Sequence, residues 1–176
     1  MHLIATTRFN TKTWNENERW RDKHSWKGCA YCTPIRIRDD VILNVPMFVL
    51  EMDNDMNIVK GIGLVRNTIE KGKRHKIYSE GNYNRFTYKS EYRVDRKQMS
   101  KKELVIINIF DILLFKGARH FKRAQGITVV PEWISKNKHM NFIKFFRKLF
   151  IKYCKSSPLT TVLVEPPVLV EPPSSS

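Results

Sequence analysis

The chain has 176 residues, the length of one domain with a short appendage, and 41% of it is apolar, including ten Phe, six Tyr and four Trp. That content can build a core and excludes a wholly disordered basic protein. Against 17 Asp and Glu stand 32 Lys and Arg, a formal net charge of +15, so the surface attracts polyanions and repels other basic surfaces.

No stretch approaches the ~18 apolar residues that cross a bilayer. The start, Met1 to Thr7, lacks the basic-then-apolar pattern of a secretory signal. Three cysteines are an odd number and make no disulfide framework. The expectation is an intracellular protein, neither secreted nor transmembrane.

In chain order, Leu3 to Arg8 reads as a short strand, and the Trp-rich polar run Thr13 to Lys27 as a loop or short helix. Val45 to Glu51 and Ile58 to Asn67 are β-rich runs around the turn cluster Asp53-Asn54-Asp55-Met56-Asn57, which predicts a hairpin. Gly61 and Gly63 in its second strand predict a bulge or a close backbone approach, not a phosphate loop. Lys71 to Tyr92 is β-prone and aromatic. Ser100-Lys101-Lys102-Glu103 fits a capping box opening a buried helix through Phe115, with Gly117 as its stop. Gly126 to Pro131 is the last strand, and Ser135 can cap a second helix to Cys154 or Lys155. The reading is one α+β domain over residues 1–134, a basic amphipathic helix over 135–155 and a disordered, low-complexity tail over 156–176. That tail contains Val-Leu-Val-Glu-Pro-Pro twice in tandem and holds two Glu but no Lys or Arg.

Two basic segments carry the functional expectation. Lys71 to Lys102 holds eleven Lys/Arg, three acidic residues and five aromatics. Cations neutralise phosphates, and exposed rings stack on unpaired bases at ~1–3 kcal/mol each. Lys71, Lys73, Arg74 and Lys76 form a loop cluster, joined by Arg85. Lys116 to Arg123, with Arg119, Lys122 and Arg123, is a second cluster without an acid. Tyr83 and Trp26 are the stacking candidates, although most aromatics here are expected in the core. The terminal helix carries Phe142, Phe145, Phe146, Leu149 and Tyr153 on one side and lysines on another. Such a helix can meet anionic lipid or acidic proteins, or dock on its own domain.

Cys29-Ala30-Tyr31-Cys32 has the spacing of two zinc ligands, but no second pair of ligands follows it. His120 stands among cations without clustered carboxylates or a second placed histidine. No catalytic residue, metal or cofactor is assigned.

The runs Met47 to Glu51 and Ile58 to Val65 resemble the central hairpin of PUA-like domains, of the EVE and ASCH type. Thr7-Arg8-Phe9-Asn10, Gly81 to Arg85 and His120 to Gly126 resemble uncharacterised proteins of large eukaryotic DNA viruses. The resemblance implies a small, mostly antiparallel barrel-like sheet that binds RNA or modified bases. It also implies a host cytoplasmic, nuclear or virion setting. In the EVE-like and YTH-like members an aromatic cage holds a modified base, and the resemblance makes Trp14, Trp20 and Trp26 candidates by their position before the hairpin, without a one-to-one match to cage positions. The expected function is non-catalytic binding of RNA or DNA. The alternatives are a virion-associated structural protein and, behind it, an enzyme acting on nucleic acid.

Overall fold

The computed structural model describes residues 1–72, 74–154 and 163. Lys73 and the tail other than Leu163 lie outside the described residues, as does the expectation of a disordered tail.

The chain is α+β. Strand β1 (Leu3–Phe9) leads into helix α1 (Thr11–Lys23), then β2 (Cys29–Thr33), β3 (Pro46–Asp53), β4 (Ile58–Arg66), β5 (Phe86–Ser90) and β6 (Arg93–Asp95). Helix α2 (Lys101–Phe115), β7 (Thr128–Val129), the single turn α3 (Glu132–Ser135) and α4 (Phe142–Tyr153) complete it. Five strands form one mixed sheet in the order β6-β4-β3-β1-β7, and β2 pairs with β5 in a separate ladder. Only β1 and β3 run parallel; every other pairing among the described residues is antiparallel.

The hairpin β3–β4 stands where the sequence puts it. Asp53 Oδ1 accepts the amides of Asp55 and Met56 at 3.0 Å each, and Asn57 takes a positive φ of 55° that Asn tolerates. The expected barrel does not close. The sheet ends on free edges of two residues (β7) and three (β6), too short to zip together, and the β2–β5 ladder packs on one face instead.

Alternation along β3 divides the interior. Phe48, Leu50 and Met52 join Ile107, Phe110 and Leu114 of α2 and Phe142, Phe146, Leu149 and Phe150 of α4. Met47 and Val49 face the opposite way, onto Trp14, Trp20, Tyr31 and Tyr88. The apolar side of α4, the side an interfacial helix would give to lipid, is therefore packed inside; Phe146 and Phe150 each lie 5.4 Å from Phe48.

Three boundaries differ from the sequence reading. Residues 11–23 are fully helical: Asn10 Oδ1 takes the Thr13 amide at 2.9 Å and Thr13 Oγ1 takes the Asn10 amide at 3.0 Å. The last strand shrinks to Thr128–Val129, because Gly126 sits at φ 65° and Pro131 has no N–H to donate. The expected helix from Ser135 breaks, since Asn137 Oδ1 captures the amides of His139 and Met140; Asn141 then caps α4 through the Lys144 amide at 2.8 Å.

On the α1 side of the sheet lies a buried ionic network. Arg93 Nη2 and Nε donate to Glu51 at 2.7 and 2.9 Å, Tyr31 Oη donates to Glu51 at 2.9 Å, and Arg93 Nη1 reaches Asp95 at 3.1 Å. A Cβ at Gly61 would collide with the Glu51–Arg93 pair, and one at Gly63 with the Tyr31 hydroxyl and the Cys29 thiol. Both expectations for these glycines hold, since Lys60 is also the extra residue of a bulge between the Glu51↔Gly61 and Met52↔Val59 pairs.

Two outcomes follow. Arg93→Met strands the Glu51 carboxylate, which is 3% exposed, and should cost about 3–5 kcal/mol in urea denaturation. Burial pushes Glu103 upward, but hydrogen bonds from Lys152, Ser100 and Tyr153 outweigh it and hold the carboxyl at about 2, below its ordinary 4.5. Stability from this depressed value is complete above pH 4.5 and is lost as pH falls toward 2. Glu103→Gln keeps the capping box but should flatten that part of the acid denaturation curve.

Candidate nucleic-acid interface

Helix α1 and residues 74–83 run side by side in opposite directions. The Ser79 amide donates to Glu16 at 3.3 Å, Asn17 Nδ2 donates to Tyr78 Oη at 3.2 Å and to Ala30 O at 2.7 Å, and the rings of Trp20 and His75 meet edge-on at 5.3 Å. Asn84 fastens the far end of the segment: its Oδ1 accepts the Ile77 and Tyr78 amides at 3.0 and 2.9 Å, and its Nδ2 donates to Tyr78 O at 2.7 Å.

At the C-terminal end of α1 the two segments border a cleft of about 530 Å³ whose charged lining is Arg19, Lys23, Arg74 and Lys76 with one carboxylate, Glu16. None of these four cations enters an ion pair among the described residues. Trp20 and His24 form the floor, their rings stacked at 4.4 Å.

At the N-terminal end of α1 the same two segments reach a smaller cavity of about 190 Å³. It opens at the carboxyl ends of the parallel strands β1 and β3, where α/β crevices commonly take ligands. Phe9, Tyr78 and Tyr83 supply aromatic surface, with Thr7, Asn54 and Gln125 among the polar groups. Tyr83 is 38% exposed, whereas Tyr78 is buried and crosses it at 6.2 Å.

The second basic loop is tied to this mouth. Arg8 Nη1 and Asn54 Nδ2 both donate to the Lys122 carbonyl, at 3.0 and 2.9 Å, while Lys122 Nζ donates to Asn57 Oδ1 at 2.8 Å. Arg119 and Arg123 stand exposed on the same loop.

Of the residues singled out from sequence, Arg74 and Lys76 line the cleft, Tyr83 lines the cavity and Lys122 borders it through Arg8 and Asn54. Arg85 shares with Arg74 a further cleft that also holds Glu70, and Lys71 is exposed nearby. Trp26 lies elsewhere, in a cleft with Arg66, Glu70 and Tyr92. Its Nε1 donates to Cys29 O at 3.2 Å and Lys89 Nζ sits 4.0 Å over its ring, so that face is taken. Sequence reasoning missed Arg8, Arg19, Lys23 and Asn54. The signals were the Asn10–Thr13 capping pair and the i, i+4 spacing of Arg19 and Lys23.

The Cys-x-x-Cys pair falls on β2, where residues three apart point to opposite faces. Cys29 meets Gly63, and Cys32 Sγ lies 3.1 Å from Thr87 Oγ1. No group of three or more His, Cys, Asp or Glu suited to a metal converges among the described residues. No helix among them is long and apolar enough to cross a membrane.

Comparison with protein-family models, curated proteins and solved structures yields no match.

Burial pushes the Cys29 thiol up to about 12 and Cys32 up to about 11. At about pH 8 the folded protein should leave both unlabelled by a maleimide, and urea should make both react; mass mapping of the adducts reads the result.

Proposed function

We propose that the protein binds single-stranded nucleic acid, without cleaving it, along the face formed by α1 and residues 74–83. One observation carries this reading: cations from two segments far apart in sequence border one cleft, and the same two segments border an aromatic-lined cavity at the other end of their contact. The backbone would pass its phosphates over Arg19, Lys23, Arg74 and Lys76. One unstacked base would enter beside Tyr83, and the strand would leave across Arg8, Lys122 and Arg123. A cavity of about 190 Å³ suits a single ring system, and a paired base cannot reach it.

Fluorescence anisotropy with single strands of about 12 nucleotides and the matching duplex tests it. The single strand should bind more tightly, with a logarithmic salt slope of about −0.7 per phosphate neutralised. Arg74→Glu with Lys76→Glu should weaken binding at least tenfold in low salt and make the slope shallower. Tyr83→Ala should cost ~1–3 kcal/mol at all salt concentrations. Lys148→Glu, on the opposite side of the sheet, should change little. Equal losses from Lys148→Glu and from the cleft reversals would reduce the interaction to bulk charge and overturn the assignment.

A further inference from the structure

Helix α2 presents a second apolar stripe away from the core. Ile107, Phe110 and Leu114 face inward and are fully buried, but Val105, Ile109 and Ile112 are 60%, 36% and 55% exposed. At ~100° per residue the three share one ~60° sector of the helix. Lys101 and Lys102 border that sector at its N-terminal end and Lys116 follows its C-terminal end, all three exposed. Both carboxylates of the helix lie on other sides and are occupied: Glu103 by Lys152 and Tyr153 of α4 at 2.8 Å each, Asp111 by Arg96 at 2.9 Å.

Helix α4 extends the cationic part of this face. It packs beside α2 on the same side of the sheet, with the rings of Phe142 and Phe110 4.6 Å apart. Its own apolar side is taken up in the core, and the helix holds lysines and an arginine but no acid. Lys144 and Lys148 are exposed, and like Lys101, Lys102 and Lys116 they enter no ion pair among the described residues. One helical layer thus combines an aliphatic stripe with cations that have no carboxylate of their own.

We propose that the outer face of this layer rests on an anionic phospholipid surface, with Val105, Ile109 and Ile112 entering the boundary between headgroups and acyl chains and the lysines meeting the headgroup phosphates. The chemistry of the stripe selects lipid. Aliphatic side chains cannot stack on bases as aromatic rings do, so a nucleic acid would gain only the lysines. Among acyl chains they find an apolar medium, while each lysine stem lies along that medium and keeps its ammonium at the polar boundary. A helix ~22 Å long lies in the plane of such a surface. A second copy of the chain is a poorer occupant. Three side chains supply far less than the ~800 Å² per partner of a standard interface, and two chains of +15 repel each other. Helix α1 packs on the other side of the sheet, so lipid and nucleic acid do not compete for one face.

Co-sedimentation of the full chain with vesicles tests this. Vesicles of phosphatidylcholine with phosphatidylserine should bind it, and phosphatidylcholine alone should not. Val105→Ser, Ile109→Ser and Ile112→Ser together change only exposed side chains, so the fold persists while the partition to anionic vesicles should fall about tenfold. Lys101→Glu with Lys102→Glu should lower it at least tenfold in low salt, and Arg74→Glu with Lys76→Glu should change it little. A polarity-sensitive fluorophore attached at Ile109→Cys, in a Cys154→Ser chain whose other thiols are buried, should shift to the blue on the anionic vesicles. Equal losses from the cleft and α2 reversals, equal binding to phosphatidylcholine alone, or an unshifted fluorophore overturns the proposal. So does a concentration-dependent dimer that the triple serine variant abolishes, which would assign the stripe to a second copy.

Discussion

The Glu51–Arg93 pair and the Tyr31 hydroxyl that completes it are the constraint around which this fold is arranged. A carboxylate 3% exposed and a guanidinium 6% exposed persist only when each answers the other and their remaining polar atoms are satisfied. Glu51 belongs to β3, Arg93 to the edge strand β6, and Tyr31 to the separate β2–β5 ladder, so one set of hydrogen bonds fixes how the ladder sits on the sheet. Gly61 and Gly63 are the room it requires. Trp14 closes the side, with the Arg93 guanidinium 5.7 Å and the Lys60 ammonium 4.2 Å from its ring. The position of α1 follows from this, because Trp14 is the first inward residue of that helix.

The face formed by α1 and residues 74–83 inherits its geometry from the same packing. Once Trp14, Asn17 and Trp20 are turned inward, Arg19 and Lys23 must project on the side where residues 74–77 pass. Asn17 donates both to β2 and to Tyr78, so the wall of the cavity and the ladder beneath it are held by one amide. The loop after α2 reaches the opposite rim because the Lys122 carbonyl accepts from β1 and from the β3–β4 turn. Neither basic segment therefore depends on its own local structure for placement.

This explains which features were legible in the sequence. The β3–β4 hairpin, the capping box of α2 and its Gly117 stop are local, each specified within a few residues, and they stand as read. Helix α1 was obscured because its inward stripe is Trp14, Asn17, Trp20: a buried Asn in the middle breaks the apolar period that marks a helix. Strand β2 went unread as a strand; its two cysteines sit at the spacing of zinc ligands, but no second pair follows them and the strand turns them apart. The barrel failed on a non-local property, the brevity of both edge strands. The placing of the cleft and the cavity along the same two segments was out of reach for the same reason, since α1 and residues 74–83 meet only through tertiary contacts.

The net charge of +15 understates the field at the surface, because the carboxylates are unevenly placed. Glu51 and Asp53 are buried beneath the sheet surface. Asp111 secures the β4 amide of Val59 and the Arg96 guanidinium, and Glu103 closes a capping box while binding α4. Glu70 is occupied by His75 and Glu16 by the Ser79 amide. Acidic groups thus spend their hydrogen-bonding capacity on joining elements, while the ion pairs among the described residues engage only seven Lys and Arg side chains. A basic surface made by adding lysines to a neutral fold would carry compensating acids interspersed among them. Here several acids are drawn into the structure while Glu18, Asp22, Asp39, Asp40, Glu80, Glu91 and Glu132 stay exposed, and the four cations bordering the cleft enter no ion pair among the described residues.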